Sequence, residues 1–291
     1  MNRRSFLSTL GAATAAAALV RPRTAGASGG ASGAAAKVGP IGLQLYTVRD
    51  AMQKETEATL ARVGALGYKE VEFAGYFGHP AAHIRQFLDK AGLRAPSVHV
   101  PIDTMRKAMT QTIADAKVIG HEWITMPWLA PEQRPTTADG WKKLAAEVSK
   151  HAATVHAAGL KFAYHNHDFE LMPVGGVVPL ELLLAGTDPA RVDFEMDVYW
   201  VTKAGNDPLA WFAKHPGRFR MLHLKDASPA PARDMRPVGQ GTIDWRAVLA
   251  QRAKAGVQHV FVEHDSAAEM NGGDAFKSVT ASYQYLSTLD V

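Results

Sequence analysis

Phe219-Arg220-Met221-Leu222-His223-Leu224-Lys225-Asp226 is an apolar run that ends in polar groups. In an extended chain alternate side chains share a face, so Met221, His223 and Lys225 point one way and Leu222 and Leu224 the other. A histidine and a lysine aimed the same way from an apolar strand are costly to bury unless something uses them. Three further strand-like runs end alike: Tyr164-His165-Asn166-His167, Phe194-Glu195-Met196-Asp197 and Phe261-Val262-Glu263-His264-Asp265. Fold and function both turn on whether these ends meet.

Working outward, strand-like and helix-like segments alternate from residue 41 onward. The patterning predicts strands at 41–47, 68–74, 95–100, 121–128, 160–167, 192–199, 219–226 and 259–264. Helices are expected at 50–66, 81–91, 104–119, 138–158, 179–184, 208–214, 244–255 and 275–286, most of them stopped by a following glycine. Eight strand–helix pairs in roughly 250 residues have the size and order of a single (β/α)8 TIM barrel, an α/β fold. The strands are apolar on both faces except at their C-terminal ends, as a parallel sheet covered by helices requires. A doubly wound open sheet would place a glycine-rich phosphate loop after the first strand, where Leu43-Gln44-Leu45-Tyr46-Thr47 stands instead.

The first residues read as a leader. Arg3-Arg4-Ser5-Phe6-Leu7 has the twin-arginine form, a short Ala-rich apolar run follows, and Ala25-Gly26-Ala27 offers a small-residue cleavage site. We expect 1–27 to be a twin-arginine signal peptide, 28–39 a flexible lead-in, and 40–291 the barrel, working in the periplasm without stable membrane insertion. The leader holds four arginines and no acid, so the formal charge of +4 falls to about zero without it. That removes the compositional case for a nucleic-acid partner. The chain has no cysteine, so any metal must be held by His, Asp or Glu.

In a barrel the C-terminal strand ends converge on one face. Glu72, His99, His165, His167, Asp197, His223, Lys225 and Glu263 all stand at such ends. Carboxylate oxygen with imidazole nitrogen suits one divalent ion: Mn²⁺, Mg²⁺, Co²⁺ or Zn²⁺.

Asp197-Val198-Tyr199-Trp200, His223-Leu224-Lys225-Asp226, Gly239-Gln240-Gly241-Thr242-Ile243-Asp244-Trp245 and Val262-Glu263, in this order, resemble the xylose isomerase-like TIM barrel superfamily. His165-Asn166-His167-Asp168-Phe169-Glu170 is similar to a branch labelled sugar phosphate isomerase/epimerase, and inosose dehydratase is a relative. The resemblance spans the expected barrel. It implies a metal site on strands five to eight, onto which Asp197, His223 and Glu263 carry over directly. Where epimerases place a fifth-strand glutamate this chain has His165, with Glu170 five residues on. Glu170, supplied from the loop, is the favoured ligand, and His165 the close alternative.

Each residue also has a plainer reading. His223 could be a core histidine, Asp197 a helix cap, His99 a strand terminus, and Lys225 a structural partner of Asp226 or Glu195. Trp128 and Trp200 are core residues or stacking surfaces for a sugar ring. Arg236 clamps a substrate oxygen or is solvated, and Glu72 and His167 complete the substrate-binding set.

The expected activity is a metal-dependent sugar isomerase or epimerase working through an enediolate. Glu263 or His165 would be the base, and Lys225 or His99 the partner acid. A lyase, dehydratase or hydrolase-like enzyme on 3-keto-glycosides is the alternative. A non-catalytic periplasmic sugar-binding protein is the rival of another class. A carbohydrate is the expected partner, with a homo-oligomer as an option.

Overall fold

The structure, a computed structural model, describes residues 37–291. The expected leader therefore lies outside the described residues. Eight parallel strands close into a barrel in sequential order: β1 (Gly42–Gln44), β2 (Glu70–Phe73), β3 (Arg94–His99), β4 (Trp123–Met126), β5 (Lys161–His165), β6 (Val192–Asp197), β7 (Phe219–Leu224) and β8 (His259–Val262). β8 pairs back onto β1 with Gly42 opposite Phe261 and Leu43 opposite Val262. The fold is a single (β/α)8 TIM barrel, as the alternation of elements predicts.

Alternation sorts the strand residues into two sets. Leu43, Val71, Val98, Ile124, Phe162, Phe194, Leu222 and Val262 join the large core beneath the helices. Trp123, Ala163, Met221 and Phe261 form a separate cluster that fills the barrel interior. Glu70 and Asp193 face the N-terminal end, where His259 Nδ1 reaches Glu70 Oε2 at 2.7 Å and the Trp123 indole donates to Asp193 Oδ2 at 2.9 Å. The interior is thus sealed below, and the polar residues one and two steps above share the C-terminal face.

Several elements stop earlier than their pattern suggests. β1 ends at Gln44, whose side-chain oxygen accepts the Tyr46 N–H at 3.0 Å and starts a 3₁₀ turn, Leu45–Val48. β6 ends at Asp197, whose Oδ1 accepts the Trp200 N–H at 3.1 Å and caps the helix Val198–Lys203. The expected helix 50–66 is two helices, Arg49–Lys54 and Thr56–Leu66. Of the expected lead-in, Lys37 is paired with Asp290 at 2.8 Å and Val38 is buried, so its described end is tied down.

Asp226 anchors the loop after β7. Its two oxygens accept N–H groups of Ala227, Gly239 and Ile243 and the Trp245 indole N–H, at 2.8 to 3.1 Å. Gly239 takes φ +86°, and a side chain there would run into the Tyr285 ring. A two-stranded ribbon, Asp226–Ala227 with Met235–Arg236, completes this loop.

Candidate active site

The strand ends do meet. Lys225 Nζ lies 2.8 Å from Asp197 Oδ2, 2.8 Å from Glu263 Oε2 and 3.0 Å from Asp265 Oδ1. His223 bridges two acids, with Nδ1 at 2.7 Å from Glu263 Oε2 and Nε2 at 2.6 Å from Glu72 Oε2. His165 Nε2 stands 3.7 Å from Asp197 Oδ2, and its Nδ1 lies 2.9 Å from Glu195 Oε2. His99 Nε2 reaches Glu195 and Glu72 at 2.8 and 3.1 Å. All but Asp265 and His99 are buried. Above them opens a cavity of about 580 Å³. Lys225, Glu263, Asp265, His99, His165 and His167 form its inner wall, and Tyr46, Trp128 and Trp200 stand among its other lining residues.

Residues 60–279 match the sequence profile of the xylose isomerase-like TIM barrel. The chain belongs to that family. Inosose dehydratase of Lacticaseibacillus casei is 26% identical over 191 residues, 58% of this chain, and the match spans 61% of that enzyme's length. A sugar phosphate isomerase/epimerase from Parabacteroides distasonis has a solved structure that superposes with a TM-score of 0.75. It is 28% identical and covers 86% of this chain and 98% of its own. The IOLI protein, solved with a zinc atom, shares the fold at a TM-score of 0.67 and 15% identity, over 84% of this chain and 95% of that one.

Electrostatics follow from burial and proximity. Burial alone would lower the Lys225 pKa, but Asp197, Asp265 and Glu263 outweigh it and hold the ammonium well above its usual range. The Lys225 ammonium is therefore a fixed cation. His223 is likewise driven well above the usual imidazole range by Glu195, Glu263 and Glu72 against its own desolvation. His99 is pushed up to about 9, with Glu72 and Glu195 overcoming burial. Burial holds His165 and His167 neutral, well below the ordinary value. Asp265 is raised by burial to about 6.

The donor set fits a divalent cation. One ligand atom each from Asp197, His223 and Glu263 lie within 4.8 Å of one another. Ligands about 2.0–2.2 Å from an ion stand roughly 3–3.5 Å apart, within the 4.8 Å span of these three atoms. Asp197 Oδ2 is buried and already meets one positive charge, Lys225 Nζ at 2.8 Å, as an oxygen that faces a cation site would.

The remaining expected residues divide. His167 and Trp200 line the cavity, with His167 Nδ1 and Trp200 Nε1 unpaired, and Trp128 stands exposed at its rim. Glu170 is elsewhere. Its Oε1 accepts the Tyr164 hydroxyl at 2.7 Å and its Oε2 the His167 N–H at 2.8 Å, so both oxygens serve to shape the loop after β5. His165, not Glu170, is the fifth-strand residue brought to the cluster. Glu72 is fully buried and is not itself a lining residue; its Oε2 sits behind the wall, against His223, His99 and Gln44. Arg236 lies outside the lining, its guanidinium donating to its neighbour's Met235 carbonyl at 2.8 Å. Lys225 pairs with neither Asp226 nor Glu195.

Glu195, Asp265 and Gln44 are absent from the sequence-based set. Glu195 precedes Asp197 by two on the same strand face, so the alternation that selected His223 and Lys225 also selects it. Gln44 had the same signal at the end of β1. Asp265 lies past the end of β8, where no periodicity operates.

Proposed function

We propose that this chain is a divalent-metal-dependent enzyme that removes a proton beside the carbonyl of a hydroxy-carbonyl sugar. The observation that carries it is the meeting of Asp197, His223 and Glu263, with His165 Nε2 3.7 Å from Asp197 Oδ2, at the floor of a cavity walled by protonated Lys225 and His99. The zinc atom of the IOLI protein, which shares the fold, supports a metal here. A bound ion would supply positive charge beside the substrate oxygens on which negative charge develops.

The protein's own groups supply the proton chemistry. Lys225 stays charged and donates to a substrate oxygen, its position set by three carboxylates. Neutral His167, with Nδ1 unpaired, and Asp265 face the cavity as proton acceptors beside the expected pair, Glu263 and His165. Trp200 offers its unpaired indole N–H to a hydroxyl, and Trp128 an apolar face to a ring. Among the described residues Lys225 is the one lysine of the cavity wall, already matched by acids, and no arginine lines it. This favours an unphosphorylated sugar. We place the enzyme in the periplasm, on the strength of the Arg3-Arg4 leader.

Return of the proton to another carbon or face gives an isomerase or epimerase, the leading reading. A lyase or dehydratase is the second. It is favoured by His99, held protonated where a departing oxygen would need a proton, by the fixed positive charge of Lys225 beside it, and by the 26% identity to inosose dehydratase. Solvent deuterium exchange on a panel of free sugars and 3-keto-glycosides, read by NMR, tests both. Exchange without loss of water or aglycone supports the isomerase, and release of either supports the lyase. No exchange with any substrate in Mn²⁺, Co²⁺ or Zn²⁺ would remove the proposal.

A further inference from the structure

Glu195 sits one alternation below Asp197 on β6, fully buried and outside the cavity wall. Its Oε2 lies 2.8 Å from His99 Nε2, 2.9 Å from His165 Nδ1 and 3.3 Å from His223 Nε2. Imidazoles from β3, β5 and β7 thus converge on one oxygen. Glu72 on β2 mirrors it, with Oε2 at 2.6 Å from His223 Nε2 and 3.1 Å from His99 Nε2, and Gln44 Nε2 donating to the same oxygen at 2.7 Å. Neither acid reaches the cavity, so neither can touch a substrate.

We infer that Glu195 is a positioning residue: it fixes which nitrogen His165 turns toward the ligand cluster, while Glu72 does the same for His223. This deepens the metal-dependent reading and rests on it. A neutral imidazole carries one N–H, and the partner of that N–H decides where the lone pair points. With a carboxylate at Nδ1, His165 holds its proton there and presents Nε2, which stands 3.7 Å from Asp197 Oδ2. His223 is turned the other way. Its Nε2 faces the two acids, leaving Nδ1 beside Glu263 Oε2 at 2.7 Å. The two histidines therefore offer opposite nitrogens to the acids of the cluster, His165 to Asp197 and His223 to Glu263, and no property of the imidazole sets that choice. The two acids beneath them do. Carboxylates in this role typically contribute about 10–100-fold to metal affinity.

The competing arrangement makes Glu195 a ligand of a second ion together with His99, His165 and His223, whose donor atoms also cluster. It would require the His223 ring to serve two ions through both nitrogens and to lose every N–H, while two carboxylates stand at hydrogen-bond distance from it.

The test uses the full chain, purified metal-free, with Zn²⁺ affinity measured by chelator competition and imidazole tautomers by ¹⁵N NMR. In the metal-free wild type His165 is expected as the Nδ1–H form. Glu195→Gln should shift that form and weaken Zn²⁺ binding about 10–100-fold. Glu170→Gln, which alters an equally buried acid outside the cluster, should leave Zn²⁺ affinity unchanged. Affinity of Glu195→Gln within about twofold of wild type, or an unchanged His165 tautomer, overturns the role. So does a wild type that binds two ions and loses one in Glu195→Gln. If Glu195→Gln does not fold, a wild-type His165 protonated at Nε2 overturns it. A wild type that binds no Zn²⁺ removes the metal reading, and the tautomer shift alone then decides the positioning role.

Discussion

Loading the site with a divalent ion should expel protons, and the number can be worked from the geometry. In the metal-free protein His223 carries both of its N–H groups, one toward Glu263 Oε2 at 2.7 Å and one toward Glu72 Oε2 at 2.6 Å, and these acids with Glu195 hold it charged. To ligate it must surrender one proton. His99, with its pKa raised to about 9, lies just outside the ligand set and loses part of its proton when positive charge arrives nearby. Between about one and two protons per ion should therefore leave near neutral pH, and affinity should rise roughly tenfold per pH unit for each proton released. Calorimetric titration of Zn²⁺ in buffers of different ionisation enthalpy reads that number as a slope. At free ion about 100-fold above Kd the gain is about 2.7 kcal/mol, a Tm rise of roughly 5–10 °C for a domain of this size. Tight binding with no proton release would refute the assignment of His223 as a protonated ligand.

Three further outcomes are expected. Lys225→Met should keep metal binding yet lose turnover by about 100-fold or more, since it removes the fixed cation that stabilises the developing oxyanion but none of the ligands; turnover near wild type would return Lys225 to a structural role. Asp226→Ala strands the N–H groups of Gly239, Ile243 and Trp245 and should cost about 3–5 kcal/mol in urea unfolding, with a change below about 1 kcal/mol contradicting its place as the loop's anchor. His121, held by the Ala95 carbonyl at 2.5 Å, is lowered by burial to about 4. The unfolded chain then binds the extra proton between pH 4 and 6.5, so stability falls on acidification through that window by up to about 3 kcal/mol. His121→Asn should flatten that slope.

The barrel and half of its site were legible in the sequence because both depend on alternation. His223, Lys225 and Asp197 stand out as polar residues on apolar strands, and the strands they end are long enough to show a period. Glu195 obeys the same rule but lies one step deeper, below the strand end where attention fell. Glu170 was misplaced because sequence distance from β5 says nothing of where a loop carboxylate turns; Tyr164 and the His167 N–H claim it. The ribbon of Asp226–Ala227 with Met235–Arg236 has two residues in each strand, too few for any period. The early ends of β1 and β6 have a shared cause. Gln44 and Asp197 each use a side-chain oxygen to cap the turn that follows, so the residue that finishes the strand also begins the next element.

Asp197 shows how one residue satisfies two readings that the sequence sets in competition. Oδ1 caps a helix and Oδ2 faces the site, so the cap holds the second oxygen in place for the cluster. The same economy governs charge. Glu72, Glu195, Asp197 and Glu263 lie on an apolar floor of Met221, Phe261, Trp123 and Ala163 and cannot be hydrated from below. Their counter-charges must come from within: Lys225 permanently, and His223 and His99 by holding protons. A divalent ion supplies the same positive charge, so acid and metal compete for one role. His223 has a folded pKa above its unfolded value, so its contribution to the metal-free protein is complete below about pH 6.5 and lost as pH rises through the folded value. Metal affinity moves the opposite way. The gap in Tm between metal-loaded and metal-free protein should therefore widen from about pH 6 to pH 9. A gap that stays constant or narrows over that range would mean that the buried acids are neutralised by something other than these histidines.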